Sequence, residues 1–324
     1  MSGPVDEFAW IASLRSLTRN DPRALELADD AAVLPARPGF DLVISKDAMV
    51  EGVHFPARED AEIIARRLLR TSLSDLAAKG AVPFGYFLMT AWPPDRGEPD
   101  RKAFRRGLAE DGGVFGVALL GGDTVSTAGP LVVSATVLGW VPRGQGVLRS
   151  GARAGDALVV CGNIGDGWLG LAAVQGRVAD PDGVLAARYR LPTPLLAIGN
   201  ALIEYARAAA DVSDGLIADA THVAEASGLG FSLDLDIIPL SIETDAWRRV
   251  QGDSAAARLA LATGGDDYAI VCAVDPAVEV SFIAAVEALD VPAARAGTFE
   301  AELGMRITVG GLAIDPGPTG WRHS

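Results

Sequence analysis

Six aspartates stand in small-residue settings scattered from position 30 to position 214. They are Asp30 in Ala28-Asp-Asp-Ala-Ala, Asp47 in Ser45-Lys-Asp, Asp75 in Ser74-Asp-Leu, Asp123 in Gly121-Gly-Asp-Thr, and Asp211 and Asp214 in Asp-Val-Ser-Asp-Gly. A fold that uses them together must gather five distant segments. No Gly-x-x-x-x-Gly-Lys-[Ser/Thr] loop occurs anywhere in the chain. Scattered carboxylates without that lysine point to anions held through metal ions, not in a backbone phosphate cradle.

The 324 residues are best read as two domains. Hydrophobic residues make up 49%, enough for a real core and too many for a disordered chain. No apolar stretch reaches the ~18 residues of a membrane span. The start, Met1-Ser-Gly-Pro-Val-Asp-Glu, lacks the basic and apolar regions of a signal peptide. Cys161 and Cys272 each lie in an apolar run and read as buried free thiols. Together these features predict a cytoplasmic enzyme. The formal net charge of −14 argues against nucleic acid or an anionic membrane as partner. It leaves a phosphate substrate open, because divalent cations reverse the local sign.

Helical and strand patterns alternate without the regular rhythm of a doubly wound sheet, which predicts an α+β chain in two halves, 1–145 and 146–324. In the first half, helices are expected over 8–17, 60–79 and 101–108. Strands are expected over 41–45, 52–55, 84–92, 117–120 and 131–141. The 60–79 helix carries Leu69, Leu73 and Leu76 at helical spacing, with Gly80 as its stop. Pro142-Arg-Gly-Gln-Gly concentrates breakers and is the expected linker. In the second half, strands are expected over 157–161, 231–235 and 268–274. Helices are expected over 195–209, 216–227, 255–261 and 280–289, and short β pieces close the chain.

Gly165-Asp-Gly-Trp-Leu-Gly170 matches a dinucleotide-binding fingerprint after a strand. However, the residues that follow, Gln175-Gly-Arg-Val-Ala-Asp-Pro-Asp-Gly, read as a loop where the unit's next strand should stand. A glycine-rich turn between strand and helix is the better reading.

Taken singly, each aspartate has an ordinary explanation. Asp75 could pair with Lys79 four residues on, worth ~0.2–0.5 kcal/mol. Its neighbours Thr71 and Ser72 would equally leave room for an ion. Asp47 ends the first strand and could cap a turn. Asp30 and Asp123 could be turn residues. Ser213 and Asp214 could cap the helix that follows, worth ~1 kcal/mol. Taken jointly, acidic residues beside glycines near element ends resemble a set of hard-cation oxygen ligands. Phosphoryl transfer between two phosphate esters would need such a set. Two unit charges 4 Å apart repel by ~4 kcal/mol at an effective dielectric of 20, and the nearby basic helpers are few, Lys46 and Arg149. When the nucleophile is already a phosphate oxygen, no general base is required.

In their order and spacing the motifs resemble the thiamine-monophosphate kinase family of the AIR synthetase-like superfamily. The carrying segments are Asp29-Asp-Ala-Ala-Val-Leu, Ser45-Lys-Asp-Ala-Met-Val-Glu-Gly-Val-His-Phe, Ser74-Asp-Leu-Ala-Ala-Lys-Gly-Ala, Gly121-Gly-Asp-Thr, Arg149-Ser-Gly-Ala-Arg-Ala-Gly-Asp, Asp211-Val-Ser-Asp-Gly-Leu, Gly264-Gly-Asp-Asp-Tyr and Gly320-Trp. The resemblance implies direct transfer of the ATP γ-phosphoryl group to thiamine monophosphate, with several Mg²⁺ ions. It implies Asp30, Asp47, Asp75, Asp123, Asp211 and Asp214 as Mg²⁺ ligands, with Asp30, Asp75 and Asp211 central to catalysis. It implies Gly122, Asp123, Arg149 and Ser213 at the ATP, and His54, Asp266 and Trp321 at thiamine monophosphate. It also implies a homodimer whose N-terminal strands share a β-barrel, and a C-terminal α+β domain. Trp321 offers a flat face to a cationic thiazolium, or anchors the C-terminus by packing. His54 and His222 read by themselves as ordinary half-buried histidines.

The chain departs from the family pattern in three places: Ala28 where glycine is common, Lys46 where a small or hydroxyl residue is common, and Asp266 where glutamate is usual. Other superfamily activities remain alternatives. The selenophosphate-forming type usually carries an N-terminal cysteine, and no cysteine here precedes Cys161. The hydrogenase-maturation type would end in cysteine, whereas this chain ends in Arg322-His-Ser. A nicotinamide oxidoreductase and a non-catalytic binding module are the readings from other classes.

Overall fold

The computed structural model describes residues 7–317 and 319–320. Two compact units account for it: residues 1–76 with 81–144, and residues 77–80 with 145–324.

The first unit is a four-stranded sheet backed by two long helices. Helix α1 (Glu7–Leu14) leads into a 3₁₀ turn over Arg15–Thr18, so the helix expected over 8–17 tightens before its end. Strand β1 (Phe40–Val50), helix α2 (Ala61–Ala78), strand β2 (Val82–Trp92), helix α3 (Glu98–Phe115), and strands β3 (Ala118–Ser126) and β4 (Val132–Pro142) follow. The sheet order is β1-β4-β2-β3, antiparallel except for the β2–β3 pair. Helix α2 begins where Asp60 Oδ1 accepts the N–H of Glu62 at 2.7 Å. It buries Ile64, Leu68, Leu69, Leu73 and Leu76 completely. That stripe holds the helix on the sheet, and each fully buried aliphatic side chain contributes ~1.5–3 kcal/mol.

Several expectations for this unit are corrected. Segment 52–55 is a turn and not a strand, because Gly52 at φ 82° breaks the extension and Val53 and His54 both donate to Val50 O. Strand β1 runs on to Val50, so Asp47 lies inside it and does not end it. Asp123 likewise lies inside β3, not in a turn. Helix α3 extends well past the expected 101–108.

The second unit is built on a seven-stranded mixed sheet of order β11-β10-β7-β9-β5-β8-β6. Its elements are β5 (Ala157–Cys161), α4 (Asp166–Val174), α5 (Val184–Arg190), α6 (Gly199–Tyr205), β6 (Ala206–Val212), α7 (Leu216–Ala226), β7 (Gly230–Asp234), α8 (Ile242–Val250), α9 (Ala255–Thr263), β8 (Ala269–Val274), α10 (Glu279–Glu287), β9 (Ala293–Glu300), β10 (Met305–Val309) and β11 (Leu312–Ile314). One core joins the sheet to α7 and α9, through Leu216, Ile217, Val223 and Ala262. The other joins its opposite face to α6, α10 and the end of α2, through Leu202, Phe282, Ala77 and Ala78. Covered on both faces, β5 and β8 are buried at every residue, which is why they read as unbroken apolar runs. Cys161 and Cys272 are buried and free, as expected.

The helix expected over 195–209 is overturned. The chain makes a 3₁₀ turn at Leu196–Ile198 and the short α6, then enters β6 at Ala206 and pairs with β8. The alanines of β6 have high helix propensity, but burial and ladder pairing override it. Helices α5 and α8 lie outside the expected set, and α4 begins at Asp166, inside the segment expected as a glycine-rich turn.

Candidate active site

Asp47 and Asp75 meet in the first unit. Asp47 projects from β1, where its strand partner is Ala135, and Asp75 projects from α2. Ser45 lies two residues before Asp47, on the same face of β1, and its hydroxyl donates to Asp75 Oδ2. Ser72, one turn before Asp75, donates its hydroxyl to Leu68 O at 2.8 Å and stands close enough to the Asp47 carboxyl to favour its ionised form. Burial and the charge of Asp75 push the Asp47 carboxyl up to about 6, against the pull of Ser72. Asp75 is therefore turned onto the strand, with a partner thirty residues away in sequence. Lys79, its expected i+4 partner, donates to the carbonyl of Ala209 at 2.9 Å. Lys46 alternates to the opposite face of β1, so its ammonium points away from this pair.

The other predicted groups of this unit lie apart from the pair. Across the sheet, Asp47 aligns through Ala135 and Leu88 with Gly122. Three strand spacings of ~4.8 Å put β3 about 14 Å from β1. Asp123 is the next residue on β3, is exposed, and faces the other side of the sheet. A side chain at Gly122 would place its Cβ 1.9 Å from Leu88 O, so this glycine lets β3 approach β2. Asp30 is exposed in a loop, its N–H donating to Asp29 Oδ1 at 2.8 Å. His54 is half-buried, and its Nδ1 accepts the N–H of Val50 at 3.1 Å, closing the turn after β1.

In the second unit the Asp211–Leu216 segment joins β6 to α7. Asp211 is buried on β6 opposite Ile270. Ser213 and Asp214 are half-buried in the loop. Neither caps the helix, because Gly215 is the N-cap and no side chain fills that role. The capping runs in reverse: Asp219 Oδ2, from inside α7, accepts the N–H groups of Ser213 and Asp214 at 3.0 and 3.1 Å. Burial and the charge of Asp214 push the Asp219 carboxyl up to about 7, opposed by those two N–H groups and by Arg149. Ligand atoms of Asp214, Asp219 and His222 lie within 4.8 Å of one another, so His222 stands at the same place. Arg149 itself is exposed.

Asp266 is brought to this loop. Its N–H donates to Ser213 O at 2.8 Å, and its carboxylate accepts the Tyr268 hydroxyl at 3.0 Å. Both Asp266 and Tyr268 are left-handed, at φ 70° and 53°, a strained pair of the kind that tertiary contacts must enforce. The intervening Asp267 accepts the N–H groups of Gly165 and Gly167 at 2.8 and 2.9 Å, and burial raises its carboxyl well above the usual range. A Cβ on Gly167 would lie 2.2 Å from Asp266 O. Gly165 at the N-cap of α4 and Gly167 inside it therefore seat the Asp266 loop. Gly320 also arrives here, its Cβ position 2.7 Å from Asp214 O. Trp321 lies outside the described residues.

The signals for the supporting groups were present but indirect. Ser45 follows from strand alternation with Asp47, and Ser72 from helical spacing with Asp75. Asp219 reads only as an acidic residue in a helix's first turn, and Tyr268 only as the start of a strand.

This arrangement matches known proteins. The model of the AIR synthase related protein N-terminal domain matches residues 28–141, and that of the C-terminal domain matches residues 153–310. The chain is 54% identical to a thiamine-monophosphate kinase of Caulobacter vibrioides, over 99% of this chain and 92% of that one. A crystal structure of thiamine-monophosphate kinase from Stenotrophomonas maltophilia superposes with a TM-score of 0.83 at 35% identity, covering 96% of this chain and 98% of that one. A structure of AaThiL complexed with AMPPCP and TMP has a TM-score of 0.77 at 24% identity over the whole of both chains, a likeness of fold. No described helix is long and apolar enough to cross a membrane. With both domains matched in order, and with end-to-end identity to a curated kinase, the chain belongs to the thiamine-monophosphate kinase family of AIR synthase related proteins.

Proposed function

We propose that this protein transfers the γ-phosphoryl group of ATP to thiamine monophosphate, yielding thiamine diphosphate and ADP. The observation that carries the reading is the 54% identity with a thiamine-monophosphate kinase over 99% of the chain. The solved relative holding AMPPCP and TMP supports it at the level of fold.

The donor set fits divalent magnesium. The charge of Asp75 and burial raise the cost of ionising Asp47, and a hard cation with oxygen ligands would relieve that cost. Asp47 and Asp75 would hold an ion in the first unit, and Asp211 and Asp214 in the second. The resemblance adds Asp30 and Asp123 to the ligand set, although both stand apart from the Asp47–Asp75 pair. When bound, the ions neutralise phosphate charge and polarise the transferring group. The chain's own work is to orient. Ser45 fixes the Asp75 carboxylate. Gly122 and Arg149 with Ser213 contact ATP. Asp266, held by Tyr268, would contact thiamine monophosphate, as would His54 and, outside the described residues, Trp321.

The working form is a homodimer, with a domain boundary near residue 145. Leu42, Ile44 and Val82 are 40, 57 and 67% exposed on the first sheet, whose edge strand β1 pairs, among the described residues, with β4 alone. A second copy would cover that surface and complete a shared barrel. The reading places the enzyme in the cytoplasm, in keeping with two free thiols.

An ADP-release assay over a panel of acceptors tests the function. Mg²⁺-dependent release with thiamine monophosphate, and none with free thiamine, is expected. Release with aminoimidazole precursors or selenide, and none with thiamine monophosphate, would sink it.

A further inference from the structure

Asp219 is 1% exposed, yet it lies beside Asp214, a second negative charge. Its Oδ2 accepts two consecutive backbone N–H groups, those of Ser213 and Asp214. The carbonyl of Ser213 is taken in turn by the N–H of Asp266. Both backbone polar groups of Ser213 are therefore held, and the peptide that carries the Asp214 side chain is held with them. The N-cap, Gly215, contributes no side chain. A neutral serine or asparagine oxygen would satisfy orphan N–H groups at a helix start without burying a charge. A carboxylate there makes stronger, shorter-ranged bonds and stiffens the loop more.

We propose that Asp219 is a positioning residue: it fixes the Ser213–Asp214 peptide so that the Asp214 carboxylate is presented to the divalent ion. The proposal rests on the kinase reading only in taking Asp214 as an ion holder. Its effect is exerted through Asp214, as outer partners of a metal ligand act through the ligand.

The test uses the full chain with Mn²⁺ as the probe, followed by electron paramagnetic resonance without substrates, alongside the Mg²⁺ dependence of ADP release. Asp219→Ala is expected to weaken Mn²⁺ binding and raise the Mg²⁺ needed for half-maximal rate by about tenfold or more. At saturating Mg²⁺, kcat is expected to recover. Asp219→Asn, which keeps an oxygen for the two N–H groups, is expected to regain most of the lost affinity. In Asp214→Ala, adding Asp219→Ala is expected to cost little more, because both changes act through one ligand. Equal loss in the Asn and Ala variants would make Asp219 an ion ligand itself and overturn the proposal. Full additivity with Asp214→Ala, or an unchanged ion requirement, would overturn it too. If Asp219→Ala fails to fold, Asp219→Asn alone carries the test: near-wild-type Mn²⁺ affinity supports positioning, and a loss of about tenfold or more rejects it. Absence of ADP release by the wild-type protein would defeat the kinase reading and leave the Mn²⁺ result to stand alone.

Discussion

Asp47 and Asp75 confront each other between β1 and α2, and Ser45, on the strand with Asp47, donates its hydroxyl to Asp75. Ser72, on the helix with Asp75, donates to Leu68 O at 2.8 Å and lies near enough to the Asp47 carboxyl to favour its ionised form. Two like charges thus stand together in a half-buried place, an arrangement that a bound cation would relieve.

Replacing Asp75 by Asn is expected to lower turnover by two or more orders of magnitude, about the loss of one strongly placed charge-stabilising group. The melting temperature should hold, because the amide still accepts the Ser45 hydroxyl. Steady-state kinetics over a Mg²⁺ series, with a thermal melt, checks both. Near-normal turnover at saturating Mg²⁺ would reduce Asp75 to an ordinary helix residue.

Asp47 predicts a pH dependence. In the folded, metal-free protein its carboxyl stands at about 6, against an ordinary 3.8. The folded state therefore binds this proton more tightly than the unfolded chain does. The resulting stability is fully present below about pH 4 and is lost as pH rises through about 6. Asp47→Asn stays neutral throughout, so it should gain on the wild type across that window, by at most about 3 kcal/mol. Thermal melts from pH 4 to 8 without metal should show the gap opening, and added Mg²⁺ should narrow it.

Gly122→Ala is expected to damage folding before it damages nucleotide binding. The new Cβ would meet Leu88 O at 1.9 Å, a backbone atom held in the sheet. A cost of about 3 kcal/mol or more follows from overpacking that cannot relax. Denaturant unfolding would read it directly. A stable variant with only a raised KM for ATP would contradict this expectation.

Tyr268→Phe removes the hydroxyl that donates to Asp266 at 3.0 Å. We expect KM for thiamine monophosphate to rise by up to about tenfold, in line with one lost hydrogen bond to a charged group. KM for ATP should not change. Equal shifts for both substrates would assign Tyr268 to the general stability of the loop.

Much of the candidate site was legible because its chemistry is local. Asp47, Asp75, Asp211 and Asp214 each announce themselves by a short acidic pattern, and Asp266 by the two glycines before it. The Gly165–Gly170 segment read as a glycine-rich turn, and its use could not be read. Its second glycine serves the carbonyl of Asp266, about a hundred residues further along the chain. The β6 strand was misread because its alanines favour a helix in isolation, and only pairing with β8 decides otherwise.

By itself, the sequence determined the family, the two-part α+β plan, the leucine stripe of α2 and the identity of the acidic residues, all of which depend on local pattern and order. Only the tertiary structure decided the pairings: Ser45 with Asp75, Asp219 with the Ser213–Asp214 peptide, and Asp266 with Ser213 and Tyr268. Most of these hydrogen bonds join residues from different elements, and register and packing set their distances. A one-residue slip in β1 would turn Asp47 and Ser45 to the other face and leave Lys46 in their place.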